Sequence, residues 1–336
     1  MATAIPADWY VNADVYGRER AAIFARVWHC VGSVGQWAQS GDNLAVDIAG
    51  FPLVFVRDAG TVRGFHNVCR HRGGPLVWDG PGHGSSLVCR YHGWSYRLDG
   101  QLQSARDFGA NPACTVGRDL VAVRTETWRG LVFATLDDSA EPLDRWLAGF
   151  DEACGDAPLE TYELGPRRRH VVAANWKVYA ENYMEGYHIP LVHPGLARQI
   201  DSRRYDVEVN GGTARHRAPT RDGAVTAGVW LWRFPGLALN LYPDGMCVET
   251  AVPDGPHATR IEYAFSFAPG TDPAVVDAAV TSSVAILDED RVICEAVQRS
   301  MASGLYRGGL LSPRHERGVA AVQQLVRDAL AAPAPP

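Results

Sequence analysis

Four side chains that bind soft and borderline metals fall in two short groups: Cys69 and His71 in C-x-H, then, seventeen residues on, Cys89 and His92 in C-x-x-H. Two thiolates and two imidazoles can hold a tetrahedral zinc, but thiolates also select iron–sulfur clusters. A set in which each group offers one cysteine and one histidine fits a [2Fe–2S] centre whose thiolates hold one iron and whose imidazoles hold the other. The neighbouring residues favour that centre over a zinc ribbon. Gly73, Gly74 and Pro75 follow the first pair and Gly93, Trp94, Ser95 and Tyr96 the second, and such residues permit tight loops that bring two tips over a cluster. Ser95 and Tyr96 also carry hydroxyls able to donate to cluster sulfurs.

With both boxes on the page, C-x-H-R-G and C-x-x-H-G-W without a gap, the chain resembles the Rieske-type non-haem iron oxygenases. The resemblance runs from the Tyr10–Trp28 lead-in to Val297-Gln298-Arg299, nearly the whole chain. It implies an α+β protein: an all-β Rieske [2Fe–2S] domain, then a helix-grip-like catalytic domain with an antiparallel sheet and a long C-terminal helix. It also implies a mononuclear non-haem Fe(II), O2 as co-substrate, and electrons drawn indirectly from NAD(P)H through a separate reductase, with or without a ferredoxin.

A second metal needs two histidines and a carboxylate on one face, with positions left open for O2 and substrate. The stretch Asn175–Pro194 supplies the histidines. Trp176, Tyr179, Ala180 and Tyr183 recur at helical spacing, while Glu181, Asn182, Glu185, His188 and His193 place polar groups along the same segment. His188 and His193 are five apart, about 140° around an ideal helix, so the helix must break between them, and Pro190 is expected to break it. The carboxylate is sought in Leu287-Asp288-Glu289-Asp290, an acidic cluster that alone reads as a solvated helix face. The resemblance selects Asp290, with Asp288 as the fallback.

The resemblance also gives Glu185 the place of an acidic residue that links a cluster histidine to an iron histidine across the interface of a head-to-tail homotrimer, here His92, Glu185, His188. Most ring-hydroxylating members carry Asp there. Glu is similar to the branch that oxidises choline, betaine and carnitine, so a quaternary amine is the expected substrate class and an aromatic-ring dioxygenase alpha subunit the alternative. Asn182 matches an asparagine beside the iron, where its other role is packing. Trp230, Trp232, Phe234 and Tyr242 lie on adjacent predicted strands; they are candidates for an aromatic cage over a quaternary nitrogen, or simply core. A Rieske electron carrier without the second iron is the competitor from another class.

The elements that must position these groups follow from patterning. A helix is expected over Gly17–Trp28, capped by Asp14, then a strand near His29–Val34; Asn43–Arg63 alternates, with Asp-Ala-Gly as a hairpin turn. Strands continue around the boxes to Leu136, so the expected domains are 1–40 as a lead-in packing with the catalytic part, 41–140 for the cluster and 141–336 for the mononuclear iron. Beyond a short helix at Leu143–Phe150, a meander of strands from Arg204 to Ala268 precedes helices at Pro273–Gly304 and Pro313–Leu330.

The chain's 336 residues suffice for two structural units, and 46% hydrophobic with 21% charged residues is an ordinary globular composition. A net charge of −6 gives no reason to expect nucleic acid or an anionic membrane as partner. No leader pattern or membrane-length apolar run is visible, so a cytoplasmic location is expected. Seven cysteines argue against a disulfide framework; Cys30, Cys114, Cys154, Cys247 and Cys294 read as small buried hydrophobes.

Overall fold

The protein is represented by a computed structural model that describes residues 4–109, 116–220 and 229–332; Cys114 lies outside them. Two compact units emerge, Arg26–Trp146 and Met1–Ala25 with Leu147–Pro336. These limits depart from the expected 41 and 140 for reasons of pairing. Strand β1 (His29–Ser33) hydrogen-bonds to β10 (Leu131–Thr135), which ties it to the cluster unit. Trp146, closing the short helix α2 (Leu143–Trp146), packs edge-on against Phe133 with ring centroids 6.2 Å apart.

The cluster unit is a seven-stranded antiparallel sheet with a three-stranded one. Besides β1 and β10 the larger sheet holds β2 (Asp42–Ile48), β3 (Phe51–Asp58), β4 (Thr61–His66), β5 (Pro81–His83) and β9 (Ala122–Trp128), in the order β1-β10-β9-β4-β3-β2-β5. The expected Asp-Ala-Gly hairpin is present. Asp58 pairs with Thr61 across Ala59 and Gly60, both at positive φ, as a two-residue turn matched to strand twist requires. The smaller sheet, β6 (Leu87–Val88), β7 (Ser95–Tyr96) and β8 (Leu102–Ser104), carries the second box in its first hairpin.

The larger unit is a seven-stranded antiparallel meander crossed by helices. Its strands are β11 (Glu163–Val172), β12 (Asp206–Asn210), β13 (Thr213–Arg217), β14 (Val229–Arg233), β15 (Leu237–Tyr242), β16 (Gly245–Pro253) and β17 (Thr259–Phe267), in the order β11-β17-β16-β15-β14-β13-β12. One core cluster joins Ile5 and Tyr10 to Tyr179, Phe265, Leu287 and Cys294, so apolar side chains of the lead-in, the sheet and two helices share one interior.

The helices differ from expectation at their ends. Helix α1 (Ala13–Glu19) is capped by Asn12, not Asp14: the Asn12 side chain accepts the backbone N–H groups of Asp14 and Val15 at 2.8 and 3.4 Å. A wider π turn follows over Arg20–Phe24. The predicted helix before residue 150 is two pieces, α2 and α3 (Ala148–Cys154). Helix α7 (Pro273–Ala302) runs 30 residues, about 45 Å at helical rise, with Asp272 capping Ala274 and Pro273 in its first turn, where a missing N–H costs nothing. Helix α8 (Arg317–Ala331) buries Val319, Val322, Val326 and Leu330 at steps of three and four. No helix among the described residues is long and apolar enough to cross a membrane.

Candidate active site and metal centres

The two boxes form loops of the same design. Cys69 N–H donates to Gly74 O and Gly73 N–H back to Cys69 O; in the second loop Cys89 N–H donates to Trp94 O and Gly93 N–H to Cys89 O, all at 2.8–3.0 Å. Gly73 and Gly93, each four residues past its cysteine, both stand at φ 75°, where only glycine is free of strain. The loops bring the sulfurs inside, Cys69 and Cys89 being buried, and set the rings of His71 and His92 4.7 Å apart.

His71 Nδ1 is buried without a hydrogen-bond partner among the described residues. A buried imidazole nitrogen with no protein partner, beside two buried thiols, is a donor set that a cluster iron would satisfy, so the four residues fit a [2Fe–2S] centre. Tyr96, one of the two hydroxyls singled out, lies with its oxygen 3.3 Å from Cys69 Sγ while accepting Arg70 N–H at 2.9 Å. Burial and Cys69 raise its pKa, so the phenol keeps its proton for a sulfur.

The second constellation is assembled from three elements. Helix α4 (Trp176–Tyr183) is capped by Asn175, whose side chain accepts Lys177 N–H, and ends before Met184. A turn then leads to α5 (Ile189–Val192) and α6 (Pro194–Gln199). Pro190 is not the break that the spacing suggested. It sits in the first turn of α5, where proline is tolerated; the chain turns instead at His188, the N-cap of α5, and at His193 (φ −115°, ψ 71°) between α5 and α6.

These turns bring the His188 and His193 Nε2 atoms to 3.2 Å, and Asp290 Oδ1 of α7 lies 3.6 and 3.0 Å from them. One ligand atom of each lies within 4.8 Å of the others, so the donor set fits one ion. Asp288 goes elsewhere. It is 200° around the helix from Asp290 and pairs with Arg291 at 3.1 Å.

Carboxylates fix both imidazoles from behind. Glu185 Oε1 lies 2.5 Å from His188 Nδ1, and Glu289 Oε2 lies 2.7 Å from His193 Nδ1. An N–H held at Nδ1 leaves the Nε2 lone pair for a metal and makes it more basic. The sequence alone gives Glu289 no role beyond its place in the acidic cluster, directly before Asp290. The second oxygen of Glu185 takes the backbone N–H groups of Tyr187 and His188. Asn182 donates its amide to Asp290 Oδ1 at 2.7 Å, anchoring the carboxylate. Burial disfavours charge on His193, but Asp290 and Glu289 outweigh it and raise its pKa. That negative field suits a metal cation equally.

The triad opens on a cavity of about 560 Å³. Of the four candidate cage aromatics, Trp230 and Tyr242 line it. Trp232 and Phe234 do not: Phe234 stands edge-on to both Trp232 and Trp176 at 6.3 and 6.0 Å, as packing. Four tyrosines that sequence patterning placed in no cage, Tyr179, Tyr183, Tyr205 and Tyr263, take part instead. The wall also holds the buried His216, which accepts or donates at Nδ1 to Tyr205 Oη at 2.7 Å and whose pKa burial lowers to about 4.

A sulfur-and-imidazole site and a separate imidazole–carboxylate site that lines a cavity are the marks of a metal-dependent oxidoreductase. Residues 27–122 match the Rieske [2Fe-2S] domain family, and residues 159–227 and 208–332 the ring hydroxylating alpha subunit (catalytic domain) family. A carnitine monooxygenase oxygenase subunit of Escherichia coli (strain K12) is 31% identical over 91% of this chain and 86% of its own length. A chloroplastic choline monooxygenase of Atriplex hortensis is 26% identical over 94% of this chain and 75% of its own. A solved quaternary ammonium Rieske monooxygenase in complex with L-carnitine superposes with a TM-score of 0.85 at 28% identity, covering 98% of this chain and 96% of that one. The chain belongs to the Rieske non-haem iron oxygenases, oxidoreductases that incorporate oxygen from O2.

Proposed function

We propose that this chain is the oxygenase component of a multicomponent monooxygenase that hydroxylates or N-dealkylates a small quaternary ammonium compound at the His188, His193, Asp290 site. The observation that carries the reading is the opening of that triad onto a cavity walled by Trp230, Tyr242 and further tyrosines, since aromatic faces attract a desolvated quaternary nitrogen. The carnitine and choline oxygenases to which the chain is similar support the same class.

When bound, the cluster supplies electrons one at a time and the mononuclear Fe(II) supplies O2 activation. The chain's own groups prepare that chemistry. Glu185 and Glu289 hold Nδ1–H tautomers, Asn182 holds the Asp290 carboxylate, and the aromatic wall excludes water and places the substrate. The reading includes a separate reductase and a homotrimer in which Glu185 joins His188 to His92 of a neighbouring copy. Glu185 is suited to this, being a half-buried carboxylate already bonded to His188.

The experiment is O2 uptake by iron-loaded protein with a surrogate reductase and a panel of choline, glycine betaine, γ-butyrobetaine, L-carnitine, benzoate and salicylate. Uptake stimulated by a quaternary ammonium member with matching loss of that compound is expected. Stimulation by the aromatic acids alone would move the chain to the ring-hydroxylating alternative.

A further inference from the structure

A carboxylate that plays no part in the metal site stands in the cavity wall. Glu249, on the interior strand β16, is 3% exposed and lines the cavity with Cys247, two positions away on the same face. Its Oε1 accepts the Tyr179 hydroxyl proton at 2.6 Å, and no other hydrogen bond reaches it among the described residues. Tyr263 stands directly opposite it on β17. A buried acid with one neutral donor and an aromatic neighbour lacks the positive partner that buried carboxylates ordinarily have.

Its placement relative to the metal ligands follows from α4. Tyr179, which holds Glu249, and Asn182, which holds Asp290, are three residues apart. They therefore share a helix face, with about 4.5 Å of rise between them. Glu249 and the triad are thus held from one side of α4 and line the same cavity, so a single small substrate can meet both. Apart from the metal ligands, the lining holds no lysine or arginine, and burial lowers the pKa of His216 to about 4, so its imidazole is neutral at pH 7.

We infer that Glu249 is the counter-ion of the substrate's quaternary nitrogen, held in place by Tyr179 and flanked by Tyr263, and so selects a cation over a neutral molecule of the same shape. The inference rests on the proposed quaternary ammonium substrate class and assigns its recognition to a residue outside the metal site. Burial, helped by the nearby Asp290 carboxylate, pushes the Glu249 carboxyl up to about 7 against the Tyr179 hydrogen bond; a cation beside it favours the ionised form.

The test is equilibrium binding by calorimetry to the iron-loaded protein, comparing choline with 3,3-dimethylbutan-1-ol, which replaces the nitrogen by carbon in the same shape. Wild type should bind choline the tighter. Glu249→Gln, which still accepts the Tyr179 proton, should weaken choline by about 30-fold or more and leave the alcohol unchanged. Equal weakening of both probes, or an unchanged preference for choline, overturns the inference and leaves the proposed function standing. A wild type that binds the alcohol as well as choline overturns the inference as well, and one that is neither bound nor turned over with any quaternary member of the panel overturns the substrate class itself. Should the Gln variant fail to load iron, Glu249→Asp, which retracts the charge by one carbon–carbon bond, decides: choline weakened several-fold with the alcohol unchanged supports the role, and parallel changes overturn it.

Discussion

At the scale of single residues, the site is organised by carboxylates acting on imidazoles. Glu289 holds His193 Nδ1 at 2.7 Å while Asp290, its neighbour, meets Nε2 at 3.0 Å, so adjacent residues grip one ring from both ends. Glu289→Gln should lower affinity for the mononuclear iron by 10- to 100-fold with the cluster's visible absorption intact, read by anaerobic Fe(II) titration. His216 gives a pH signature. Burial lowers its folded pKa to about 4 from an unfolded value near 6.5, so the unfolded state binds the extra proton between those limits and stability falls as pH drops through that window. Between pH 7 and 5 the loss is about 2 kcal/mol, and denaturant unfolding of His216→Gln should show a pH slope smaller by that amount. The metal-binding types at short spacing were legible in the sequence. His216 and Glu249 were not, because a lone acid or histidine on a strand carries no periodic mark of the cavity it faces.

At the scale of elements, α4 is the hub. Its N-terminal turn is anchored to the lead-in by Lys177, whose Nζ lies 2.6 Å from Glu19 Oε1 with both side chains fully buried, and by Trp176, which donates to Glu19 Oε2 at 2.8 Å. Burial lowers the Lys177 pKa, with Glu19 opposing. Glu19→Ala would strand that charge and should cost about 3–5 kcal/mol, whereas Glu19→Leu with Lys177→Met should recover much of it; chemical unfolding of both variants checks this. Such long-range pairing explains where patterning succeeded. The helical spacing of α7 and the alternation of β17 over residues 259–264 report burial directly. The turns at His188 and His193 depend on packing around three short helices, so the sequence pointed to Pro190 while the chain bends on either side of it. The cage suffered similarly: period-two spacing joins Trp230, Trp232 and Phe234, but only position along the strand decides which is roofed by Trp176 and which by open cavity.

At the scale of the whole molecule, the chain joins an electron-accepting unit to an oxygen-using one, and both were legible because each concentrates its ligands in a short motif. The boundary between them was not, since β1 enters the cluster unit through hydrogen bonds to a strand about a hundred residues later. The proposed transfer between copies makes Glu185 decisive for turnover. Glu185→Gln should retain both metals and lose most substrate-dependent O2 uptake; unimpaired uptake would remove the carboxylate from the route. The central claim, two separate iron sites of which Asp290 completes the second, is tested most directly by iron and acid-labile sulfide per chain in anaerobically reconstituted protein. Wild type is expected to hold about three irons and two sulfides, and Asp290→Ala about two of each with an unchanged cluster spectrum. Two irons in the wild type, or a third retained by Asp290→Ala, would contradict the account.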